Sequence, residues 1–513
     1  MLSFNKIYNV VISAVCMGLA QYPLGLSWLS WFCLVPLFIA IQDDSKFKNI
    51  IFNIFVWGFI YHLISVYWLT DNIGVPERYI AFITMLLVNL VSTFYVVVIF
   101  LIWNLINRLN KKQVWYSLPF IWMMVDYISS LLSVSFPGTS IAGTQANPLS
   151  LLFIQFVELT GMFGVTFWIV SVNVSFFYLY KYRSKERIVE SVLIFLAPIF
   201  LGLILKNIEI DNIEKIDFAI LQPNIHIDDK SYHSSNKMID ELILKSNSYI
   251  NQKSYDNRLL IWPETAFNHY PNLFDKSIAN AFDGTQIQLL SGVYEIENKD
   301  IYYNSVYYLN EDNRYRLKNI SEDDKYRKII LVPGAEFVPF ASIFPFLNNI
   351  ALSGNFSYGD EYTLFEYKKK RDSESSIKFG AMVCIESTYP YLSRNFVIRG
   401  AQFLVYIAND GWYIDPPQAQ QHAKHTVFRA IENRKPILRC GNTGITWVLS
   451  PYGDVLKELK HNDDNILTSD GIEVYSNSRK TLYVLAGNWL AYLSILVTLW
   501  LIFSGFIKKY KKK

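Results

Sequence analysis

Cysteine is scarce. Cys16, Cys33, Cys384 and Cys440 are the four in 513 residues, and no spacing among them suits a zinc site, so neither a metal nor another cofactor is expected. Charge is sparse too: Asp, Glu, Lys and Arg make up 18% of the chain and leave a net charge of +3, too small a bias to suggest a nucleic-acid partner. A Gly-rich phosphate loop, an internal repeat and a long low-complexity run are all missing, which removes the usual signs of a nucleotide-binding, solenoid or disordered protein. Apolar residues are plentiful instead, at 52% hydrophobic and 16% aromatic with a mean hydropathy of +0.19. A soluble chain of this length is rarely so apolar, so part of this one is expected to sit in lipid.

The apolar residues fall into long runs at 10–24, 28–41, 50–69, 80–103, 115–132, 163–180 and 191–205, with a last one at 482–507. Several approach the ~20 residues that cross a bilayer, which gives about eight spans with the first two short. The first run follows Lys6 but has no small-x-small cleavage site, so it reads as a retained anchor. Basic residues gather in alternate loops, at Lys46 and Lys48, at Arg108, Lys111 and Lys112, and at Lys181, Arg183, Lys185 and Arg187, and again in the Lys508–Lys513 tail. Positive loops stay in the cytoplasm, so both termini are expected there, with the polar stretch between the last two runs on the other side. In a bacterium that is a multi-pass inner-membrane protein with a periplasmic domain. The expected domains are 1–206 (seven transmembrane helices), 207–480 (polar) and 481–513 (final helix and basic tail).

Within the polar stretch, short apolar strands alternate with polar and helical segments, as at 216–224, 288–294, 303–309 and 403–410. Three local contexts carry chemistry. Ile261-Trp262-Pro263-Glu264 supplies a carboxylate, Lys328-Ile329-Ile330-Leu331-Val332-Pro333 an ammonium, and Ala381-Met382-Val383-Cys384 a thiol. A carboxylate can take the thiol proton, an ammonium can hold the oxyanion formed when the thiolate attacks a carbonyl, and the sulfur can carry the acyl group. Glu264 and Cys384 each follow an apolar run, so both are expected at the C-terminal end of a buried strand. Pairing Cys384 with Cys440 would consume the nucleophile, so no disulfide is expected between them.

This arrangement resembles the nitrilase superfamily, whose Glu-Lys-Cys triad sits on such strand ends; the resemblance implies an α/β domain of αββα sandwich type with Glu264, Lys328 and Cys384 as the triad. With a multi-span helical domain attached, nearly the full length resembles the apolipoprotein N-acyltransferase family, the membrane-bound branch. Further matches are Phe136-Pro137-Gly138, Gln155-Phe156-Val157-Glu158-Leu159-Thr160-Gly161, Gln222-Pro223-Asn224-Ile225, Glu336-Phe337-Val338-Pro339 and Asn409-Asp410-Gly411-Trp412. The resemblance implies a transferase that moves an acyl chain from a membrane phospholipid donor, through a Cys thioester, to the N-terminal amine of a diacylglyceryl-cysteine apolipoprotein, and that works as a monomer. Three positions depart from the family pattern. Pro333-Gly334-Ala335-Glu336 stands where Pro-Phe-Gly-Glu is common, Ile385 where a Tyr commonly follows the nucleophile, and Tyr232 is the nearest aromatic where a Trp is usual.

Competing readings are a membrane-tethered amidase that gives its acyl group to water and a non-catalytic lipid or lipoprotein binder. An intact triad argues against the binder. Glu336 is expected to orient the ammonium or serve as a second acid, and Glu386 to share the nucleophile's side if its strand continues. Asn409, Trp412, Phe337, Phe344 and Phe346 are candidate substrate contacts, the phenylalanines (with Phe340 and Leu347) as a membrane-facing gate beside the site. His422 and His425 have no acidic residue at matching spacing and read as surface-helix residues. Asp126, inside an apolar run, reads equally as a paired functional carboxylate or as an interfacial one. Lys325, a neighbour of Lys328, is expected to matter little.

Overall fold

The computed structural model describes residues 4–21, 24–42, 44, 46–75, 77–110, 114–132, 136–226, 235–250, 258–269, 275–298, 301–317, 320–339, 356–369, 376–413 and 417–511. The chain forms two compact units, Met1–Ile208 with Ala486–Lys513, and Glu209–Leu485.

The first unit is helical. Phe47–Asp71, Arg78–Asn110, Phe163–Tyr182, Lys185–Lys206 and Trp489–Tyr510 are long and apolar enough to cross a bilayer, while Lys6–Gln21 and Ser27–Ile41 are shorter. Several of the expected spans are broken in the structure, among them 28–41, whose α-helix is only Leu34–Ile41 after the 3-10 turn Ser27–Trp31. The run at 115–132 begins as a 3-10 turn, Val114–Ser117, and leaves only Leu118–Ser130 as α-helix. The run at 482–507 is two helices, Leu482–Ala486 and Trp489–Tyr510, interrupted where the two units divide. Hydropathy alone registers none of these breaks. Asp126 lies on helix Leu118–Ser130, and one of its oxygens accepts hydrogen bonds from Ser140 Oγ (2.8 Å) and Thr166 Oγ1 (2.9 Å), which favours the paired reading of this carboxylate.

The second unit holds two mixed sheets. Its strands are β1 (Phe218–Gln222), β2 (Leu259–Ile261), β3 (Phe267–His269), β4 (Gln288–Asn298), β5 (Ile301–Leu309), β6 (Lys325–Arg327), β7 (Leu364–Tyr367), β8 (Ile377–Val383), β9 (Phe403–Ala408), β10 (Ile437–Gly441), β11 (Thr446–Leu449), β12 (Val455–Leu459) and β13 (Asn465–Thr468). The first sheet runs β13-β1-β2-β4-β5-β6, with β3 beside the far end of β4; the second runs β12-β11-β10-β9-β8-β7. Each has a parallel centre, β1-β2-β4 and β8-β9-β10, with antiparallel strands outside it. Central parallel strands are covered on both faces, which is why β1, β2 and β9 are buried at every position and read in the sequence as unbroken apolar runs.

Helices Ser235–Ile250 and Asp275–Ala281 cover the first sheet, their Ile239, Leu242 and Ile278 joining Leu260, Trp262, Leu289 and Tyr307 in one core. Helix Pro390–Arg399 packs on β8 and against helix Pro417–Asn433, while β1 faces β10 and β5 faces β8. The unit is an αββα sandwich of the nitrilase type. Burying about 25 cal/mol per Å² of apolar surface between four layers makes the strands rigid, and their C-terminal ends are the places where polar side chains can emerge.

Candidate active site

Four strand ends deliver the polar residues: Glu264 follows β2, Lys328 directly follows β6, Cys384 directly follows β8 and Asn409 directly follows β9. Glu264 is buried. Its Oε1 accepts from Asn304 Nδ2 at 2.8 Å and its Oε2 from the Asn409 backbone N–H at 2.8 Å, so both oxygens are fixed. The carboxylate is brought here by a tight turn, with Thr265 at φ +48, against which β4 passes very closely. A Cβ on Gly292 of β4 would lie 2.5 Å from Pro263 O and 2.6 Å from Glu264 Cα, so only glycine lets the strand through.

Lys328 is only 1% exposed. Its Nζ lies 2.9 and 2.8 Å from the two oxygens of Glu336 and 3.7 Å from Glu264 Oε1. Burial pulls the ammonium pKa down, but Glu336 above all, with Cys384 and Glu264, more than offsets this and holds it above the usual lysine value. Its backbone is tied on both sides, the N–H donating to Asn304 O (2.9 Å) and the C=O accepting from Gly359 N–H (2.8 Å). Glu336 is turned back onto Lys328 by a tight loop: Gly334 N–H donates to Phe337 O, and Val332 N–H to Glu336 Oε2, both at 2.8 Å. Asn304 Nδ2 reaches Glu336 Oε1 at 2.8 Å as well as Glu264, so one amide bridges both carboxylates.

At Cys384 the strand stops and a 3-10 turn, Cys384–Thr388, begins. The cysteine takes φ +52, a left-handed conformation that costs a non-glycine residue about 1–3 kcal/mol and persists only where neighbours enforce it. Such a sharp strand-to-helix turn lifts a nucleophile clear of the sheet. Burial, and then the Glu264 carboxylate, push the thiol pKa well above its ordinary value while Lys328 pulls the other way, so the resting group is a neutral thiol facing a carboxylate and an ammonium.

The expectation that Glu386 shares the nucleophile's face of a continuing strand is corrected by this turn. Glu386 is fully buried and clamps the site from behind, its Oε2 accepting from Val383 N–H (2.7 Å) and its Oε1 from Tyr326 OH (2.7 Å), Ile329 N–H (2.7 Å) and Ile330 N–H (3.1 Å). It thereby ties the lysine-bearing segment to the cysteine-bearing one. Asn409 is buried and braces Glu264 rather than lining an open surface. Trp412 is 43% exposed on the turn Asp410–Trp412, and Phe337 is half-buried with its ring edge-on to Tyr358 at 5.6 Å. Phe340, Phe344, Phe346, Leu347 and Tyr232 lie outside the described residues.

The surface-helix reading of the histidines is also corrected. His425 is buried. His422 contacts Asp410 Oδ1 through Nδ1 (2.7 Å) and Cys384 O through Nε2 (2.8 Å), and Asp410 Oδ2 accepts from Arg439 Nη2 (2.8 Å). The acidic partner comes from a different element, so no spacing along the helix reveals it. Asn304 was missed for the same reason: in the sequence it is one polar residue of a strand. Lys325, expected to be incidental, is buried beside Glu295 (3.3 Å) and Glu322 (2.8 Å). Cys384 and Cys440 are both free, with the Cys440 thiol donating to Leu221 O at 3.3 Å. Among the described residues no group of three His, Cys, Asp or Glu side chains has the geometry of a metal site.

Comparison with known proteins places this geometry in a lineage. Residues 13–175 match the model of the apolipoprotein N-acyltransferase N-terminal domain, and residues 219–470 match that of the carbon-nitrogen hydrolases. The apolipoprotein N-acyltransferase of Chlorobaculum tepidum is 27% identical across 89% of this chain and 87% of its own length. Over most of its length the chain is similar to the apolipoprotein N-acyltransferases. It is therefore an acyltransferase and a membrane protein. The Geobacter metallireducens apolipoprotein N-acyltransferase is likewise 27% identical, covering 87% of this chain and 85% of its own. Among solved structures, a nitrilase-superfamily protein of Saccharomyces cerevisiae, Nit3, is similar over 52% of this chain and 91% of its own, at 16% identity and a TM-score of 0.39. Within the family pattern, the unusual Pro333-Gly334-Ala335-Glu336 still closes its turn, because the glycine stands at the position that takes φ +81 and Glu336 is delivered to Lys328 all the same.

Proposed function

We propose that this enzyme takes an acyl chain from a membrane phospholipid onto Cys384 and passes it to the N-terminal amine of a diacylglyceryl-cysteine apolipoprotein, with Glu264, Lys328 and Cys384 as its catalytic triad. The observation that carries this reading is the convergence of three strand ends: a buried carboxylate with both oxygens fixed, a buried ammonium held charged, and a thiol on a strained turn between them in charge.

Chemically, Glu264 takes the thiol proton as sulfur attacks the ester carbonyl. The tetrahedral oxyanion is held by the Lys328 ammonium, which is prepared for it by Glu336. As the intermediate collapses, the C–O bond to the glycerol backbone breaks, Glu264 returns the proton to the leaving alkoxide, and lysophospholipid departs from a Cys384 thioester. The lipoprotein amine then attacks, Glu264 accepts its proton, and the thiol is regenerated with the amide product: a ping-pong cycle. Asn304 and Asn409 hold the carboxylate in place for both halves.

The same reading places the enzyme in a bacterial inner membrane, with 207–480 periplasmic as the distribution of basic loops suggests. The acceptor is tested with radiolabelled phospholipid and a diacylglyceryl lipopeptide. Label appearing as N-acyl lipopeptide is the expected result; label released only as free fatty acid would make the enzyme a hydrolase.

A further inference from the structure

Helix Pro417–Asn433 carries His422 to the back of the nucleophile's turn. Its Nε2 lies 2.8 Å from Cys384 O and its Nδ1 2.7 Å from Asp410 Oδ1. A backbone carbonyl only accepts, so Nε2–H donates to Cys384 O, while Nδ1 on the other side of the ring lies against Asp410 Oδ1 and 3.3 Å from Arg439 Nη2. Asp410 is itself anchored: Arg439 Nη2 donates to Oδ2 (2.8 Å) and Gln418 Nε2 to Oδ1 (3.2 Å). Burial alone would raise this carboxyl's pKa, but His422 and Arg439 more than reverse that and keep it ionised. Asp410 and Arg439 are each 1% exposed, so the anchor that holds His422 is shielded from water, while His422 and Cys384 are themselves partly buried.

The peptide joining Cys384 to Ile385 is planar and trans, so its carbonyl and its N–H point opposite ways. Whatever fixes the carbonyl also fixes the Ile385 N–H. An N–H on the residue after a nucleophile is well placed to meet the oxyanion formed on that nucleophile. We propose that His422 is a positioning residue: by holding the Cys384 carbonyl from behind, it aims the Ile385 N–H at the developing oxyanion, as a second donor beside Lys328. This inference rests on Cys384 being the acylated nucleophile.

The test uses the full-length enzyme in detergent with phospholipid, following the acyl adduct on Cys384 by mass spectrometry and, separately, alkylation of Cys384 by iodoacetamide, which forms no oxyanion. His422→Leu is expected to slow acylation at saturating phospholipid by about 10- to 100-fold. Its half-saturating concentration should be unchanged and alkylation should stay within about threefold of wild type, since neither depends on an oxyanion donor. His422→Gln, whose amide can still reach the carbonyl, should recover most of the rate, and His422→Asn, polar but too short, should be as slow as the leucine variant. The asparagine and glutamine pair decides the matter even if the leucine variant fails to fold. Equal acylation in wild type, His422→Asn and His422→Leu would overturn the proposal, as would acylation and alkylation falling together without rescue by glutamine. Absence of any Cys384 adduct in the wild type would instead overturn the nucleophile assignment on which it rests.

Discussion

Lys328 and Lys325 sit three residues apart and do different work. Lys328 offers its ammonium to both oxygens of Glu336 and toward Glu264, so in the proposed mechanism its loss removes the charge that faces the reacting carbonyl. Lys328→Ala should lower kcat by about 10²-fold or more, the scale for removing one oxyanion donor, and leave two carboxylates without their cation. Lys325 instead pairs with buried Glu295, on which Arg327 also lies at 2.7 Å. Lys325→Ala should cost about 1–3 kcal/mol of stability by leaving Glu295 short of a partner, while the folded fraction keeps nearly wild-type kcat. Denaturation midpoints measured beside turnover separate the two. A Lys325→Ala enzyme that is stable but slow, or a Lys328→Ala enzyme with normal turnover, would mean that the wrong cation had been assigned.

At the scale of elements, the strands that end in the site were legible because a buried parallel strand leaves an apolar run, and the run stops where its reactive residue begins: Leu259-Leu260-Ile261 before Glu264, and Phe379 to Val383 before Cys384. What the sequence hid are contacts between elements. Asn304 reaches two carboxylates from β5, and Asp410 meets His422 across a helix and a turn, with no local period to announce either. The turn at Cys384 was hidden as well, because a strand read from apolarity has no marker for a left-handed residue at its end. Glu386 would share the nucleophile's side only if the strand continued, and the turn from Cys384 to Thr388 ends it. The close passage of β4 behind Glu264 is testable at this scale. Gly292→Ala puts a methyl 2.5 Å from the Pro263 carbonyl oxygen, so the strand or the Glu264 turn must shift. Overpacking of that kind costs about 1–3 kcal/mol, and catalysis should fall further than stability because Glu264 moves with its backbone. A Gly292→Ala enzyme with full activity would show that the turn tolerates displacement.

The whole molecule joins a unit with, among the described residues, five helices long enough to cross a bilayer to an αββα sandwich that carries Glu264, Lys328 and Cys384. The basic loops predict that the sandwich is outside the cytoplasm, so a reporter active only in the cytoplasm should be silent when fused near Asp300 and active when fused after Lys513. Signal at Asp300 would reverse the orientation. The proposed cycle turns on one covalent bond. Wild-type enzyme mixed with phospholipid alone should gain the mass of one acyl chain, mapped to the peptide containing Cys384. Adding the diacylglyceryl lipopeptide should remove that mass and yield an equal amount of N-acyl product. Cys384→Ala should show neither step. An adduct on Cys440, or N-acyl product formed by the Cys384→Ala enzyme, would contradict the account.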